Sequence, residues 1–239
     1  MTPSPGARCV AVLPAAGSGV RMGGELPKQY LELAGAPLLE HSLQALLRCE
    51  SVAAVAVVLH PDDRRADALP AMADPRVRRA AGGVARSDSV LAGLHTLARE
   101  FPVEEWVLVH DAARPCLQLA DLQRLIAEVL AGGVGGILAE PIVDTVKLAG
   151  DDGRVVRTLD RSRLWRAQTP QMFRLGELRD ALVTATSRGL AVTDEASAME
   201  MAGHPVCLVA GSPANLKVTV PGDLELAAWY LAGRPPDPR

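Results

Sequence analysis

Residues 9–19 read Cys-Val-Ala-Val-Leu-Pro-Ala-Ala-Gly-Ser-Gly, an apolar run that stops at Pro14 and opens into a glycine-rich loop. The apolar run predicts a buried β-strand, and Pro14 with the small residues after it predicts the turn that ends the strand. In an open parallel sheet, ligands bind beyond the carboxyl ends of the strands, where small residues let the backbone approach a phosphate. This stretch therefore predicts an α/β fold and also the place of its binding site.

Strands and helices alternate over the following 120 residues. Apolar runs predict further strands at 52–59, 106–109 and 135–139, and helical spacing of apolar residues predicts helices at 37–47, 90–98 and 119–130. Such alternation is typical of a three-layer α/β fold, in which a mostly parallel, Rossmann-like sheet carries helices on both faces.

The pattern then changes to a hairpin. Residues 142–148 and 155–159 alternate in polarity around an Asp-Asp-Gly turn at 151–153, which predicts a β-hairpin arm over 141–162 protruding from a single domain, 1–239. Helices are predicted at 175–187 and 221–231, and strands at 206–209 and 216–220. Thr193 has the features of an N-cap for a helix that stops at Gly203. The proline-rich tail, 234–239, is expected to fray.

Composition excludes several classes of protein. The chain has 239 residues and a formal net charge of −3, so it lacks the basic excess of a protein that binds nucleic acid or a membrane surface. No run approaches 18 apolar residues, so no membrane span is expected. The four cysteines are far apart in sequence and form no CxxC pair. We therefore expect no metal site built by the protein, and free thiols in the cytoplasm.

The cations are unevenly divided between the two residue types. Of 25 lysines and arginines, only three are lysines: Lys28, Lys147 and Lys217. A chain that uses arginine for ordinary surface charge can keep lysine for places where a compact charge on a flexible stem matters. The three lysines are therefore candidate functional residues.

The glycine-rich loop fits neither of two familiar nucleotide-binding templates. The dinucleotide fingerprint GxGxxG requires a glycine where this chain has Met22, which disfavours an NAD-binding oxidoreductase. The P-loop requires Gly-Lys-Ser/Thr, but Lys28 follows Pro27 and precedes Gln29. The loop instead offers the cations Arg21 and Lys28, which suit a triphosphate that gains charge as pyrophosphate leaves.

Eight segments in order along the chain resemble the cytidylyltransferases that join CTP to a sugar-alcohol phosphate. They are residues 15–22 with 27–30, 82–83 with 86 and 88–90, 109–115, 144–145, 160–161, 164–165 with 168–171, 193–197, and 215–219. The resemblance implies a nucleotidyltransferase type of fold and transfer of CMP from CTP, with Mg²⁺ held mainly by the CTP phosphates. The expected acceptor is 2-C-methyl-D-erythritol 4-phosphate of the non-mevalonate isoprenoid pathway, with ribitol 5-phosphate as the alternative.

The resemblance also implies three groups of site residues. Those implied in catalysis are the cations Arg21, Lys28, Arg161 and Lys217. Those implied in CTP binding are Pro14, Ala15, Ala16, Gly17, Gly19, Gly83, Ser89, Asp111 and Ala112. Those implied in acceptor binding are Asp111, Arg114, Thr145, Arg161, Thr169, Thr193 and Lys217. In the family the arm embraces a second subunit, so the resemblance implies a homodimer in which Thr145 and Arg161 enter the neighbouring subunit's active site.

Structural alternatives remain open for several of these residues. Asp111 and Arg114 could pair only to hold their loop, Ser89 could serve only the start of a helix, and the arm could fold back on its own domain. A nucleotide-sensing module without catalysis is a further alternative, disfavoured by the presence of both Arg21 and Lys28. His110 is expected to be structural, because a phosphate oxygen is already a nucleophile and needs no general base. Val84 stands where a family member can carry an acidic residue, so we expect no polar side-chain contact to the base from it.

Overall fold

The computed structural model of the chain describes residues 9–17 and 26–233. The predicted site residues Gly19 and Arg21 and the tail at 234–239 lie outside these ranges. The strands are β1 (Cys9–Pro14), β2 (Glu32–Leu33), β3 (Ala36–Pro37), β4 (Val52–Leu59), β5 (Val77–Ala81), β6 (Trp106–Val109), β7 (Gly136–Pro141), β8 (Val146–Ala149), β9 (Val155–Leu159), β10 (Trp165–Arg174) and β11 (Cys207–Ala210). The helices are α1 (Leu38–Leu47), α2 (Arg86–Leu97), α3 (Leu119–Gly132), α4 (Leu175–Ser187), α5 (Glu195–Met201) and α6 (Pro221–Ala232).

Seven of these strands form one sheet, in the order β11-β7-β10-β6-β1-β4-β5. Strand β10 runs antiparallel to both of its neighbours, β6 and β7. The other neighbouring pairs are parallel. The mostly parallel sheet predicted from the sequence is therefore confirmed.

Helices cover both faces of this sheet, and β1 shows why. Its side chains alternate between the faces, as they must in a strand. Cys9, Ala11 and Leu13 pack with residues of α1 and α3, whereas Val10 and Val12 pack with residues of α2, α4 and α5. All five side chains are essentially inaccessible to solvent. The predicted three-layer architecture is therefore confirmed, and the first strand lies at its centre.

A smaller apolar cluster packs helix α6 against the segment that contains Val218. Ala227 of α6 packs with Leu33, Leu38, Cys116 and Val218. The Asp223 carboxylate accepts hydrogen bonds from the backbone N–H groups at 219 and 220, at 2.7 and 3.0 Å, and so caps the helix. This packing fixes the segment that carries Lys217.

Two details of the sequence reading are wrong. The strand predicted at 216–220 is absent from the described structure, because Val218 bonds elsewhere. Its N–H donates to the carbonyl of Ala113 at 2.8 Å, and its carbonyl accepts from the Lys28 Nζ at 2.6 Å. The N-cap of α5 is Asp194 rather than Thr193, since the Asp194 carboxylate accepts from the Ser197 N–H at 2.9 Å.

Strands β5 and β10 were not predicted. Strand β10 carries Gln168-Thr169-Pro170-Gln171 in its middle, and proline within a polar run argues against a central strand. The sheet accommodates this run because the pairing of β10 with β7 is irregular between Ala167 and Gln171. The proline, which has no N–H to donate, therefore falls where the ladder is interrupted.

The hairpin arm is present in a shorter form than predicted. Strands β8 and β9 pair from Val146 with Leu159 to Ala149 with Val155, and residues 142–145 lie outside the pairing. Most of the arm's side chains are exposed.

The helices in the described ranges include none with the length and apolarity that a bilayer span requires.

Helix α2 approaches the sheet closely at Gly93. A Cβ atom there would lie 2.5 Å from Val12 Cγ1 and 3.0 Å from Val58 Cγ2, so Gly93→Ala should lower the free energy of unfolding by about 1–3 kcal/mol through overpacking. Gly132→Ala is the matched control, since nothing lies within 4 Å of a Cβ at Gly132 and alanine favours a helix by up to about 1 kcal/mol. Urea unfolding measures both. Equal stability of the two variants would contradict this description of the packing.

Candidate active site

One cavity of about 630 Å³ opens at the carboxyl ends of β1, β5 and β6. Its walls come from the loops after these strands and from two distant segments near residues 28 and 217. The lining residues are Pro14, Ala15, Ala16, Gly17, Lys28, Gln29, Gly83, Val84, Ala85, Arg86, Ser89, Asp111, Ala112, Ala113, Lys217 and Thr219. The structure thus brings together all but Gly19 of the residues that the resemblance implies in CTP binding, and Gly19 lies outside the described residues.

Backbone and small side chains form one wall of this cavity. The N–H of Ala15 donates to the Val58 carbonyl at 2.7 Å, and the N–H of Gly82 donates to the Leu59 carbonyl at 2.7 Å, so the loops after β1 and β5 lie side by side. A Cβ atom at Gly82 would lie only 2.3 Å from that of Ala16, and one at Gly83 only 2.4 Å from that of Asp88. Both glycines are therefore required by close approach of neighbouring groups.

Helix α2 points its N-terminus at the cavity. The Asp88 carboxylate accepts from the Ala85 N–H at 3.0 Å. The Ser89 hydroxyl accepts from the Gly83 N–H and donates to the Ala85 carbonyl, both at 3.3 Å. Ser89 therefore holds the loop that begins the helix. The partial positive charge of a helix N-terminus favours an anion in the cavity.

At the opposite wall of the cavity, the side chains of Lys28, Gln29 and Tyr30 hold their segment in place by hydrogen bonds. The Lys28 Nζ donates to the Val218 carbonyl at 2.6 Å. The Gln29 amide donates to the Ala15 carbonyl at 2.7 Å, and the Tyr30 hydroxyl donates to the Asp63 carboxylate at 2.7 Å. These bonds tie the segment to three separate parts of the chain and fix the point from which the lysine side chain extends.

A chain of alternating charges crosses the cavity floor. The two terminal nitrogens of Arg86 bind the two oxygens of Glu195, at 2.6 and 3.0 Å. The Nε of Arg86 donates to Asp111 Oδ1 at 2.9 Å, and the Lys217 Nζ lies 2.7 Å from Asp111 Oδ2. Asp111 thus has each carboxylate oxygen paired with a different cation.

This pairing keeps Asp111 and Arg86 in their ionised forms. Burial by itself would raise the pKa of Asp111, but the charges of Arg86 and Lys217 outweigh it and hold that pKa below its usual range. Burial likewise would lower the pKa of Arg86, but the charges of Glu195 and Asp111 outweigh it and raise that pKa. Asp111 and Arg86 therefore remain ionised at neutral pH.

Below the floor, buried His110 orients the backbone of Asp111. The Thr169 hydroxyl accepts from the Asp111 N–H at 3.0 Å, so its own proton points to His110 Nδ1, also at 3.0 Å. The opposite ring nitrogen, Nε2, then donates to the Arg114 carbonyl at 3.1 Å. Burial lowers the pKa of His110 to about 4, so the ring is neutral. These contacts agree with the structural role expected for His110.

Arg114 does not form the loop-holding pair with Asp111 that the sequence left open. Its guanidinium donates to the Asn215 carbonyl at 2.6 Å, and within the described ranges the cations paired with Asp111 are Arg86 and Lys217. The buried Nε of Arg114 has no hydrogen-bond acceptor among the described atoms. Contact between Arg114 and the substrate remains a prediction.

Besides Arg114, four of the residues predicted to bind the acceptor do not line this cavity. Thr145 and Arg161 are exposed on the arm, where the Arg161 guanidinium donates to the Val143 carbonyl. Thr193 is exposed, and its N–H donates to the Ser197 hydroxyl at 3.1 Å. Thr169 is buried with its hydroxyl fully used. Substrate contacts by these four residues remain predictions.

Sequence reasoning missed the pair of Arg86 and Glu195. Both residues lie in segments that carry the family resemblance, but the sequence gives neither of them a role in the site. The two residues are 109 positions apart, and no periodicity or spacing indicates that they meet.

The described residues contain no group of three or more His, Cys, Asp and Glu side chains that could hold a metal ion.

Comparison with known proteins gives consistent matches over nearly the whole chain. A family model described as 2-C-methyl-D-erythritol 4-phosphate cytidylyltransferase matches residues 9–233. An enzyme of that name from Pseudomonas putida strain GB-1 is 51% identical over 225 residues, which cover 94% of this chain and 96% of the relative. A solved 4-diphosphocytidyl-2C-methyl-D-erythritol synthase has a TM-score of 0.81 and 38% identity, with coverage of 94% of this chain and 99% of that chain. The Francisella tularensis 2-C-methyl-D-erythritol 4-phosphate cytidylyltransferase has a TM-score of 0.80 and 34% identity, with coverage of 94% and 100%.

The lowered pKa of His110 makes stability depend on pH. An unfolded histidine takes up a proton below its ordinary pKa of 6.5, whereas the folded ring does so only near pH 4, so acid favours the unfolded chain. Between pH 7 and pH 5 this linkage should remove about 2 kcal/mol from the free energy of unfolding. His110→Gln has no such group and should lose less stability over the same interval. Urea unfolding of both proteins at each pH measures the difference; parallel losses would show that His110 is not held neutral.

Proposed function

We propose a role for each wall of the pocket in one nucleotidyl transfer, since the chain belongs to the 2-C-methyl-D-erythritol 4-phosphate cytidylyltransferase family. The protein transfers CMP from CTP to 2-C-methyl-D-erythritol 4-phosphate, and the products are 4-diphosphocytidyl-2-C-methyl-D-erythritol and pyrophosphate. This reaction belongs to isoprenoid synthesis. The names of the relatives favour this acceptor over ribitol 5-phosphate.

The observation that carries the assignment of roles is the meeting of Lys28, Arg86 and Lys217 around a cavity walled by backbone. A triphosphate brings several negative charges, which need cations and backbone N–H donors together. The loop at 14–17 and the N-terminus of α2 offer the backbone groups. The triphosphate therefore lies between this loop and the two lysines.

The transfer itself needs charge stabilisation rather than proton transfer. An oxygen of the acceptor phosphate attacks the α-phosphorus of CTP in line, and the bond to the β-phosphate oxygen breaks with its electron pair leaving on pyrophosphate. Lys28 and Lys217 stabilise the charge that develops, together with Arg21, whose role rests on the family resemblance alone. The nucleophile is already anionic, which is consistent with a neutral His110.

The cytosine lies against the loop at 82–85. Val84 is fully exposed at the cavity rim and has no polar side-chain group, so the base is read by backbone groups of this loop and by the wall at Ala112. Ser89 supports the reading by holding the loop in place. Specificity for the pyrimidine then depends on the shape of the backbone.

The donor set of the pocket fits Mg²⁺ that is held mainly by the nucleotide. Asp111 is the carboxylate among the described lining residues, and both of its oxygens are already paired with cations. Bound Mg²⁺ would neutralise part of the charge of the phosphates. Asp111 is the residue placed to approach such an ion.

The arm suits contact with a second subunit. Val143, Val155 and Val156 are exposed on it, and a two-stranded hairpin is only marginally stable without a surface to pack on. Dimerisation through the arm would cover these residues and carry Thr145 and Arg161 to the neighbouring pocket. Together with Arg114, these residues would hold the acceptor phosphate.

Removing either pocket lysine should slow the reaction. Lys28→Met and Lys217→Met should each lower kcat for pyrophosphate release on the order of 10²-fold, because each removes a preorganised charge. Arg78→Met is the control, since Arg78 pairs with Glu100 at the amino end of β5, away from the cavity. Pyrophosphate is measured with CTP and either methylerythritol phosphate or ribitol 5-phosphate. Unchanged rates in both lysine variants would remove the lysines from catalysis.

Mixing two inactive variants tests the arm. If Arg161 serves the neighbouring pocket, subunit exchange between Arg161→Ala and Lys217→Met should restore about a quarter of wild-type activity, because half of the dimers are mixed and each has one intact site. Sedimentation checks that the dimers form. An arm that folds on its own domain would give no recovery on mixing, and a monomer of full activity would contradict the proposed dimer.

A further inference from the structure

Glu195 is a buried carboxylate that the reaction as described does not use. Its side chain is almost completely inaccessible, and it is not among the lining residues of the cavity. Arg86 covers it, binds both of its oxygens, and lines the cavity with the rest of its surface. Glu195 therefore acts on the pocket only through Arg86.

We propose that Glu195 is a positioning residue for nucleotidyl transfer. By holding both terminal nitrogens of Arg86, it fixes the guanidinium so that Nε binds one oxygen of Asp111 and leaves the other oxygen to Lys217. The ammonium of Lys217 is thereby aimed into the cavity. This inference rests on the proposed roles of Lys217 and of the nucleotide pocket.

The cost of an unpaired buried charge keeps Arg86 in this place. A carboxylate as buried as Glu195 is strongly unfavourable without its cation, so Arg86 cannot leave to follow a phosphate. Lys28 and Lys217 each carry a single ammonium group on a flexible stem, and the ammonium of Lys217 binds the Asp111 oxygen that Arg86 leaves to it. Arg86 therefore supports the site, whereas the two lysines are able to move onto the substrate.

An arginine fork is required because two carboxylates must be held at once. The guanidinium presents donors along two edges in a fixed plane, so it can bind Glu195 with two terminal nitrogens and Asp111 with Nε. A lysine has one ammonium group and cannot span both partners in a defined plane. The charge of Arg86 alone would not set the direction of Asp111.

The start of α5 is itself held against the same floor. Gln171 of β10 accepts from the Ala196 N–H at 2.8 Å and donates to the Asp194 carboxylate at 2.9 Å. Strand β10 also supplies Thr169, whose hydroxyl accepts from the Asp111 N–H. The side chain and the backbone of Asp111 are thus oriented from one pair of packed elements.

Glu195→Gln tests the proposal, because it keeps the shape and removes the charge. An amide N–H would face a guanidinium N–H, so one of the two bonds to Arg86 is lost. We expect kcat for pyrophosphate release to fall about ten- to a hundredfold through misplacement of the site. The KM for CTP should not rise, because the pocket loses a negative charge. A merely structural role would instead lower stability and leave kcat unchanged.

Glu40→Gln is the matched control. Glu40 is an equally buried carboxylate on α1, and it accepts from the Ala71 N–H at 3.2 Å and from the Gln44 amide at 2.6 Å, away from the cavity. This variant should lose stability while kcat and KM stay at wild-type values. It separates the cost of neutralising any buried carboxylate from an effect on the transfer.

Arg86→Lys provides the second variant and serves even if Glu195→Gln does not fold. It keeps the charge but loses the fork, so kcat should fall with little change in the KM for CTP. Because Glu195 and Arg86 act as one unit, kcat of the double variant should be no lower than kcat of the less active single variant. A kcat within about twofold of wild type in either single variant, or losses that multiply in the double variant, would overturn the inference. A wild-type protein that releases no pyrophosphate would instead contradict the proposed function.

Discussion

The carboxylate of Asp111 must be compensated because it is buried at the end of a central strand. An isolated carboxylate in such a place is expensive, and here Arg86 and Lys217 offset that cost through one oxygen each. Meeting this requirement draws together the start of α2, the start of α5 and the segment at 215–219. The walls of the pocket are therefore placed by the electrostatics of its floor as much as by the packing of the sheet.

Arginine and lysine have different roles in this pocket. Arg86 is held by two carboxylates and contributes a fixed geometry. Lys28 and Lys217 carry compact ammonium groups on flexible stems, and a phosphate can compete with the Val218 carbonyl for Lys28 and with Asp111 for Lys217. In a chain with 22 arginines and three lysines, two of the lysines line the same cavity. Flexible point charges suit a substrate whose charge moves during the reaction.

Local patterns in the sequence predicted the parts of the fold that local physics determines. The buried strand at 9–14 and the helices follow from the hydrophobic period and the turn residues, and the structure confirms them. Strand β10 escaped because its polar centre is used for long-range bonds, including that of Thr169 to Asp111. The pair of Arg86 and Glu195 escaped for the same reason: a contact across 109 residues has no local signal. The features of the site that the sequence did not reveal are thus the long-range polar contacts of its floor.

The electrostatics of this floor suit a reaction without proton transfer. Asp111 stays ionised because neighbouring cations lower its pKa, Arg86 stays ionised because neighbouring carboxylates raise its pKa, and His110 stays neutral because burial lowers its pKa. None of the three changes charge near neutral pH, so the field that they create in the cavity is constant. A general base would need a pKa near the working pH, which this floor does not provide at these positions. A phosphate nucleophile needs no such base, and a fixed field is what stabilises charge that passes from an attacking to a leaving oxygen.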